Sequence, residues 1–205
     1  MNHPTIKAIV FDVGGVIELS NGKILQKISS LTNIPIEKLQ SEYFKHNHLS
    51  NIENLGRDEM LLRVVSIFIT EDVLLGKVAT IINEHFTQKI LNTEIIDIFK
   101  SLRQHGYKVG ILSNDTTKLR DRLTSHGILN YVDTVIISAE IGFQKPQKEA
   151  FEILFSSLNL NPNEVVYIDD TQKSLEGSKE IGYFPILFKD NEQLKTDLKN
   201  LGIIV

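Results

Sequence analysis

The sequence contains no cysteine and no block of lysine and arginine among its 205 residues. Without cysteine, the chain cannot form disulfides, thiolate metal sites or a cysteine nucleophile. With a net charge of −4 and no basic cluster, it lacks the electrostatic footprint of a nucleic-acid-binding protein. The composition therefore excludes thiol chemistry, argues against a nucleic-acid partner and suits a reducing compartment.

Long hydrophobic runs are also missing. The first apolar run, residues 6–11, is only of strand length and ends at an acid, so it does not read as a signal peptide. No stretch approaches the roughly 20 apolar residues that a membrane span needs. We therefore expect a cytoplasmic enzyme or binding domain with no membrane partner, present as a monomer or homodimer.

The spacing of apolar residues changes along the chain. Residues 6–11 are almost wholly apolar and precede a glycine pair, which is typical of a central buried strand that runs into a turn. From about residue 20 to residue 88, apolar residues recur at helical spacing, which predicts an insert of about four helices without a strand.

Beyond this insert, strand and helix patterns alternate. Strands are predicted over 107–112, 134–137, 164–168 and 184–188, and helices over 93–105, 116–125, 146–158, 174–181 and 191–199. Such alternation implies a parallel sheet with right-handed crossovers. The predicted fold class is therefore α/β, with a core over 1–17 and 89–205 and a small all-helical cap over 18–88.

Polar residues stand where the predicted strands end, and ligands of open α/β sheets bind beyond the carboxyl ends of the strands. If the strands are neighbours, these residues converge on one edge. The set combines three carboxylates, one ammonium, one hydroxyl, an amide and two glycines: Asp12, Gly14, Gly15, Ser113, Asn114, Lys145, Asp169 and Asp170. That combination suits a metal ion together with a phosphate.

The chemistry of these groups points the same way. Three packed carboxylates repel one another unless a cation neutralises them, and oxygen ligands without nearby cysteine or histidine favour Mg²⁺. Asp12 could attack phosphorus and form an aspartyl-phosphate, with Lys145 pairing with carboxylate and phosphate oxygens. Ser113 and backbone N–H groups at Gly15 and at a helix start near Asn114 would bind the remaining phosphate oxygens.

Simpler roles remain open for the same residues. Asp12 could merely end a strand and cap a turn, and the pair Asp169–Asp170 could cap the following helix, which is compatible with metal binding. Ser113 could also be a helix cap. Asp115 is expected to be a helix cap or a first-turn acid rather than a ligand.

Four segments in order resemble the haloacid dehalogenase superfamily, in the branch with a helical cap inserted after the first strand. They are FDVGGVI at 11–17, ILSN at 111–114, GFQKP at 142–146 and VYIDD at 166–170. The resemblance spans nearly the whole chain, although the cap matches in position and helicity only. It implies a Rossmann-like core, a mobile cap, Mg²⁺ and Asp12 as the nucleophile.

Gly14 departs from the pattern. Phosphatases of this family usually carry a second aspartate there, which protonates the leaving group and then activates water. The Gly14 carbonyl can still bind Mg²⁺, but the proton shuttle is lost, and general acid–base help is typically worth about 10²–10⁴-fold. A good leaving group, such as the anomeric oxygen of a sugar 1-phosphate, would suffer less; metal-bound water or a cap residue could also replace the shuttle.

Three functions follow from the resemblance. The favoured one is an Mg²⁺-dependent phosphatase for a small phosphorylated metabolite such as a sugar phosphate, because the acidic pair Asp169–Asp170 is retained. The second is a 2-haloacid dehalogenase, a class that also lacks the second aspartate but needs no metal. The third is a degenerate member that binds a ligand or partner, against which the intact Asp12 and Lys145 argue. Candidates for substrate contacts in the cap, or else solvated polar residues, are Tyr43, Lys45, His46, His48 and Arg57.

Overall fold

A computed structural model describes residues 5–20 and 23–205. The first strand, β1, is Ala8–Phe11, and all four of its residues are buried. Its unbroken apolar character fits the predicted position at the centre of a sheet covered on both faces. Residues 1–4 of the predicted core and residues 21–22 of the predicted cap lie outside the described residues.

Five parallel strands form the main sheet, as the alternating pattern predicted. The strands after β1 are β2 Glu18–Leu19, β3 Ile90–Leu91, β4 Lys108–Ser113, β5 Thr134–Ile137, β6 Val165–Asp169 and β7 Phe184–Leu187. The sheet order is β5-β4-β1-β6-β7. Phe11 at the end of β1 pairs with Ile111 of β4 and Ile168 of β6, so the residues that follow these three strands meet at one edge.

Four helices form the cap between β2 and β3, in agreement with the predicted helical insert. They are α1 Ile24–Thr32, α2 Ile36–Asn51, α3 Arg57–Ser66 and α4 Asp72–Thr87. Their apolar stripes meet in a cluster separate from those of the core, centred on Ile28, Leu61 and Val78. The cap is thus held together by its own hydrophobic packing. The exact bounds of the cap domain, residues 18–88, stay a prediction.

A short antiparallel ribbon joins the cap to the core. In it β2 pairs with β3, with Glu18 opposite Leu91. The sequence did not predict this ribbon, because strands of two residues show no periodicity. The ribbon places the segment that enters the cap next to the segment that leaves it.

Within residues 5–20 and 23–205, six further α-helices cover the two faces of the main sheet. They are α5 Thr93–Gln104, α6 Lys118–Ser125, α7 Ser138–Ile141, α8 Lys148–Leu158, α9 Ser178–Ile181 and α10 Asn191–Asn200. On one face Phe11 packs edge-on against Phe99 at 4.7 Å between ring centroids, and on the other Phe151 stacks on Tyr183 at 4.7 Å. Among the described residues, no helix has both the length and the hydrophobicity to cross a bilayer.

Three predicted helix boundaries were wrong. The helix expected from residue 146 begins at Lys148, because Pro146 lies in a turn that the Gln147 N–H closes on the Gln144 carbonyl oxygen. The helix expected over 174–181 is divided by Gly177, whose φ of +81° separates a 3-10 turn from α9. The helix expected from residue 116 begins two residues later.

Candidate active site

Three carboxylates meet at the carboxyl edge of the sheet. One oxygen each of Asp12, Asp169 and Asp170 lies within 4.8 Å of the others. Asp12 directly follows β1, and its N–H donates to the Ile168 carbonyl oxygen at 2.8 Å, while Asp169 ends β6. The pairing of these two strands therefore brings together acids that are more than 150 residues apart in the sequence.

The Lys145 side chain, which is 2% exposed, reaches this group of carboxylates. Its Nζ is 2.8 Å from Asp12 Oδ1, 2.7 Å from Asp169 Oδ2 and 2.7 Å from the Tyr167 hydroxyl oxygen. An ammonium has three N–H donors, so each has an acceptor. Burial alone would lower the pKa of Lys145, but Asp12 and Asp169 raise it above its ordinary value, and the group stays charged.

The three acids still carry more charge than Lys145 can neutralise. Burial raises the pKa of Asp12 to about 6; Lys145 opposes this shift and the charge of Asp169 adds to it. Burial and the charge of Asp169 also raise the pKa of Asp170. Two acids with raised pKa values indicate that the site has too little positive charge. A cation that binds oxygen ligands would supply it.

Asp169 is held in place from several sides. Its Oδ1 accepts the Thr171 N–H at 2.8 Å, and its Oδ2 lies 2.7 Å from the Tyr167 hydroxyl. Burial, followed by the charge of Asp169, raises the pKa of Tyr167 well above its ordinary value, so its hydroxyl stays protonated. The pair Asp169–Asp170 does not cap an α-helix, because the next one begins at Ser178.

The glycine turn after β1 packs against Asp170. Gly15 has a φ of +77°, and a Cβ added there would overlap the Asp170 carboxylate. Its N–H, predicted to bind phosphate, donates to the Glu18 carbonyl oxygen at 2.9 Å. Gly14 is different: the nearest heavy atom to an added Cβ is Asp12 Oδ2, at 4.0 Å.

Asn114 connects the loop after β4 to the Lys145 loop. Its Nδ2 donates to the Lys145 carbonyl oxygen at 3.1 Å, and its Oδ1 accepts the Lys145 N–H at 2.8 Å. The helix predicted over 116–125, with its start near Asn114, begins at Lys118, so Asn114 is not in a first helical turn. The buried Ser113 ends β4 and lines the same site.

A cavity of about 510 Å³ lies between this edge and the cap. Tyr43 and Arg57, two of the predicted cap candidates, line it. The other candidates bond within their own helix: Lys45 pairs with Glu42, and the rings of His46 and His48 contact carbonyl oxygens of α2. Residues of the cavity wall that the sequence did not single out include Phe44, Asn47, Asn51, His85, Gln144 and Lys173.

Helical spacing could have found part of that wall. Tyr43, Asn47 and Asn51 are four residues apart along α2 and so share one helix face. Asn51 Nδ2 donates to Gln144 Oε1 at 2.8 Å, which joins the cap to the loop that carries Lys145. Helical spacing gives no such signal for Gln144, which lies in a loop; its only sequence signal is its place beside Lys145 in the GFQKP segment.

A second ionic group, here called the hinge cluster, consists of Glu18, Lys89, Asp115, Arg122 and Arg57. Glu18 pairs with Lys89 at 2.7 Å and with Arg122 at 3.1 Å. Asp115 pairs with Arg122 at 2.7 Å and with Arg57 at 3.6 Å. The cluster thus joins the ribbon, the core and the cap, and the prediction of Asp115 as a helix cap or first-turn acid was wrong, since α6 begins three residues later.

Cations outnumber acids in the hinge cluster, and the pKa values of its two acids are lowered. Burial would raise the pKa of Glu18, but Lys89 and Arg122 hold it below the ordinary value. Burial acts likewise on Asp115, and Arg57 and Arg122 lower its pKa below the ordinary value. Both acids are therefore ionised at neutral pH.

The parallel sheet, the inserted helical cap and the buried acid–lysine group at the carboxyl edge define a capped α/β protein with a carboxylate-rich site. The model of the haloacid dehalogenase-like hydrolase family matches residues 9–187. The chain belongs to that family, and the resemblance seen in the four sequence segments is confirmed.

Individual relatives are distant. The chain is 23% identical to glyceraldehyde 3-phosphate phosphatase of Methanopyrus kandleri, over 95% of this chain and 89% of the relative. It is 26% identical to D-ribitol-5-phosphate phosphatase of Bacteroides thetaiotaomicron, over 87% and 89%. It also matches the rat bifunctional epoxide hydrolase 2 at 23% identity over 60% of this chain, and spans only 23% of that protein.

A solved structure shows the same fold. It is a family enzyme of Bacteroides thetaiotaomicron in complex with magnesium and inorganic phosphate, with a TM-score of 0.61 and 16% identity. The match covers 92% of this chain and 98% of the other.

Proposed function

We propose that the protein is an Mg²⁺-dependent phosphatase that hydrolyses a small phosphomonoester through an aspartyl-phosphate on Asp12. The observation that carries this proposal is the acid cluster, which consists of Asp12, Asp169, Asp170 and the buried Lys145 that pairs with the first two. The pKa values of Asp12 and Asp170 are raised, and the cluster lies at a cavity of small-molecule size. Such a site binds a cation and, through it, an anionic substrate.

Asp12 is the proposed nucleophile. The Lys145 ammonium binds Oδ1 of Asp12 and so fixes the carboxylate at the cavity, which Asp12 lines. A carboxylate oxygen attacks phosphorus, the bond from phosphorus to the leaving oxygen breaks, and that oxygen keeps the electron pair. Water then attacks the phosphorus of the aspartyl-phosphate, which releases inorganic phosphate and restores the Asp12 carboxylate.

The residues at this edge fit a magnesium ion. Asp12, Asp170 and the Gly14 carbonyl would bind it directly. Asp169 already accepts hydrogen bonds from Lys145 and Thr171, and it would contribute its negative charge to the attraction of the ion. Such an ion would neutralise phosphate charge and hold the phosphoryl group in line. Ser113 and the loop of Asn114 would contact the remaining phosphate oxygens. The charge of Lys145 would attract the phosphate while its N–H groups stay on Asp12, Asp169 and Tyr167, and the turn at Gly15 packs against Asp170.

The cap would close over the substrate and exclude water. Its amide-lined face, with Asn47 and Asn51, suits the hydroxyl groups of a sugar or polyol phosphate. The printed names of two relatives that match nearly their whole length, a glyceraldehyde 3-phosphate phosphatase and a D-ribitol-5-phosphate phosphatase, support the same substrate class.

Hydrolysis of an aryl phosphate and a panel of sugar phosphates tests the proposal, with Mg²⁺ and with EDTA. We expect turnover that needs Mg²⁺ and is lost in Asp12→Asn but kept in Asp97→Asn, which removes an exposed acid of α5. Turnover that survives EDTA or the Asp12→Asn change would contradict it. Halide release from a 2-haloacid without metal would favour the dehalogenase instead.

A further inference from the structure

The Tyr167 hydroxyl is a buried group that the proposed mechanism does not use. Tyr167 lies two residues before Asp169 on β6, so both side chains point to the same face of the sheet. Its ring packs against Phe151 and Tyr183, at 5.4 and 5.9 Å between ring centroids, in the apolar layer on that face. The packing of the ring thus holds the hydroxyl beside the acid cluster.

The neighbours of the hydroxyl fix the direction of its hydrogen bonds. An ammonium has donors only, so Lys145 Nζ donates to the Tyr167 oxygen at 2.7 Å. The proton of Tyr167 then points to Asp169 Oδ2 at 2.7 Å or to the Leu112 carbonyl oxygen at 3.2 Å. In either case the hydroxyl accepts a hydrogen bond from Lys145 while its own proton is bound.

This hydroxyl supplies the third acceptor that the Lys145 ammonium needs. Lys145 Nζ is 2.8 Å from Asp12 Oδ1 and 2.7 Å from Asp169 Oδ2, which leaves one N–H for the tyrosine. The Lys145 side chain is 2% exposed, so bulk water does not replace the hydroxyl. Without Tyr167, this N–H would be buried without a partner, which is costly, or would turn toward the substrate phosphate. The ammonium would then no longer be fixed between the two carboxylates.

We propose that Tyr167 is a positioning residue, which acts on the attack of Asp12 through Lys145. The inference rests on the proposed phosphatase function. By accepting the third N–H of Lys145, the hydroxyl keeps the ammonium on Asp12 Oδ1 and away from the phosphate. The Asp12 carboxylate therefore stays in one orientation at the cavity, and it loses little freedom when it attacks phosphorus.

Tyr183 provides a matched control in the same aromatic layer. Its ring stacks on Phe151 at 4.7 Å between centroids, and its hydroxyl is buried without a hydrogen-bond partner among the described residues. Tyr167→Phe and Tyr183→Phe therefore each remove one buried hydroxyl and keep the ring. Only the first of these changes removes a contact with Lys145.

Single-turnover kinetics with an aryl phosphate and Mg²⁺ test the inference, because they separate substrate binding from the attack by Asp12. In Tyr167→Phe the maximal rate of enzyme phosphorylation should fall by about 10- to 100-fold, the factor that corresponds to one hydrogen bond to a charged group. The substrate concentration that gives half of this rate should change by less than about threefold. Tyr183→Phe should stay within about twofold of the wild type in both quantities.

Two results of this comparison would overturn the inference. Equal effects of Tyr167→Phe and Tyr183→Phe would mean that the contact with Lys145 does not matter. A change in the half-saturating concentration alone would mean that Tyr167 shapes the cavity and does not position the reacting groups.

A double-mutant cycle tests whether Tyr167 acts through Lys145. In the Lys145→Met background the ammonium is absent, so Tyr167→Phe should change kcat/KM by less than about twofold. A fall of about tenfold or more in both backgrounds would overturn the inference, because the hydroxyl would then act through Asp169 or through packing.

The Lys145 ammonium also gives a readout that needs no turnover. In the NMR spectrum of protein with isotope-labelled lysine side chains, the signal that is absent from Lys145→Met belongs to Lys145. We expect Tyr167→Phe to accelerate the exchange of its ammonium protons with water by about tenfold or more, and Tyr183→Phe to leave it unchanged. Unchanged exchange in Tyr167→Phe would overturn the inference alone, whereas no turnover by the wild type would contradict the proposed phosphatase function itself.

Discussion

Two ionic clusters face the same cavity and differ in their balance of charge. The acid cluster holds Asp12, Asp169 and Asp170 with one cation, Lys145, which pairs with the first two. The hinge cluster places two acids among three cations. In the first, the pKa values of Asp12 and Asp170 are raised; in the second, those of both acids are lowered.

The opposite shifts indicate different roles. The hinge cluster neutralises its own carboxylates and connects the ribbon, the core and the cap, so it needs no ligand to be stable. The acid cluster keeps uncompensated negative charge in a buried place, which is costly unless a cation binds. The acid cluster, whose negative charge is not balanced by its own cation, is therefore the better candidate for the reacting site.

The largest effect is expected from Lys145→Met, which removes the cation of the acid cluster. Two buried carboxylates and the phosphate would lose their positive partner, so kcat/KM should fall by about 10³-fold or more. Steady-state kinetics with an aryl phosphate measures it. Lys148→Met, which removes an exposed lysine three residues away, should stay within a factor of two, and similar losses in both variants would contradict the assignment.

In the hinge cluster, Glu18→Gln should reduce stability rather than chemistry. Glu18 is 2% exposed and its removal leaves Lys89 and Arg122 without their shared partner, which typically costs about 3–5 kcal/mol. Urea unfolding gives the free energy. The matched control Glu94→Gln breaks an exposed pair with Lys195 and should cost less than about 1 kcal/mol; equal costs would remove the distinction between buried and exposed pairs.

The acid cluster should gain stability from Mg²⁺. An ion that binds only the folded chain stabilises it by about 2.7 kcal/mol at 100 times its dissociation constant. Thermal unfolding should therefore shift upward with Mg²⁺ in the wild type and much less in Asp170→Asn. The same shift in both proteins would mean that the ion binds somewhere else.

The hinge cluster also predicts a pH dependence. Glu18 and Asp115 have pKa values below the ordinary 4.5 and 3.8 of the unfolded chain, so the folded state binds fewer protons across that range. Their stabilisation is complete above about pH 5 and is lost as the pH falls through the lowered pKa values. The stability difference between wild type and Glu18→Gln should accordingly shrink in acid, and a constant difference from pH 7 to pH 3 would contradict this.

The smallest effect is expected at the contact between the cap and the loop that carries Lys145. Asn51→Ala removes one hydrogen bond to Gln144, worth about 1 kcal/mol, from the closed cap. KM should rise by about fivefold, and the unfolding free energy should fall by no more than about 1 kcal/mol. A fall in kcat of more than about tenfold at unchanged KM would place Asn51 in the chemistry instead.

The sequence predicted the elements that repeat a regular pattern. The buried run before Asp12 and the alternation after residue 88 sufficed for the parallel sheet, and the sheet in turn brought Asp169 next to Asp12. The ribbon of β2 and β3 was missed because two residues carry no periodicity. The helix start at Pro146 was wrong because a hydrogen-bonded turn over 144–147 competes with the helix at that point.

Contacts between distant segments could not be predicted from spacing. Arg57 was expected in solvent or at the substrate; it lines the cavity, and its pairing with Asp115 and its hydrogen bond to the Asn114 carbonyl oxygen had no sign in the spacing. Arg122 reaches Glu18 across 104 positions of the chain. Such partners depend on how cap and core pack, which no local pattern of residues encodes.

The central claim is that Asp12 becomes phosphorylated during turnover. The most direct measurement is rapid acid quenching of the enzyme with a radiolabelled phosphomonoester and Mg²⁺, followed by peptide mapping. The account predicts an acid-stable, base-labile label on the peptide that contains Asp12, absent from Asp12→Asn. Label on another residue, or turnover without any labelled enzyme in the wild type, would contradict it.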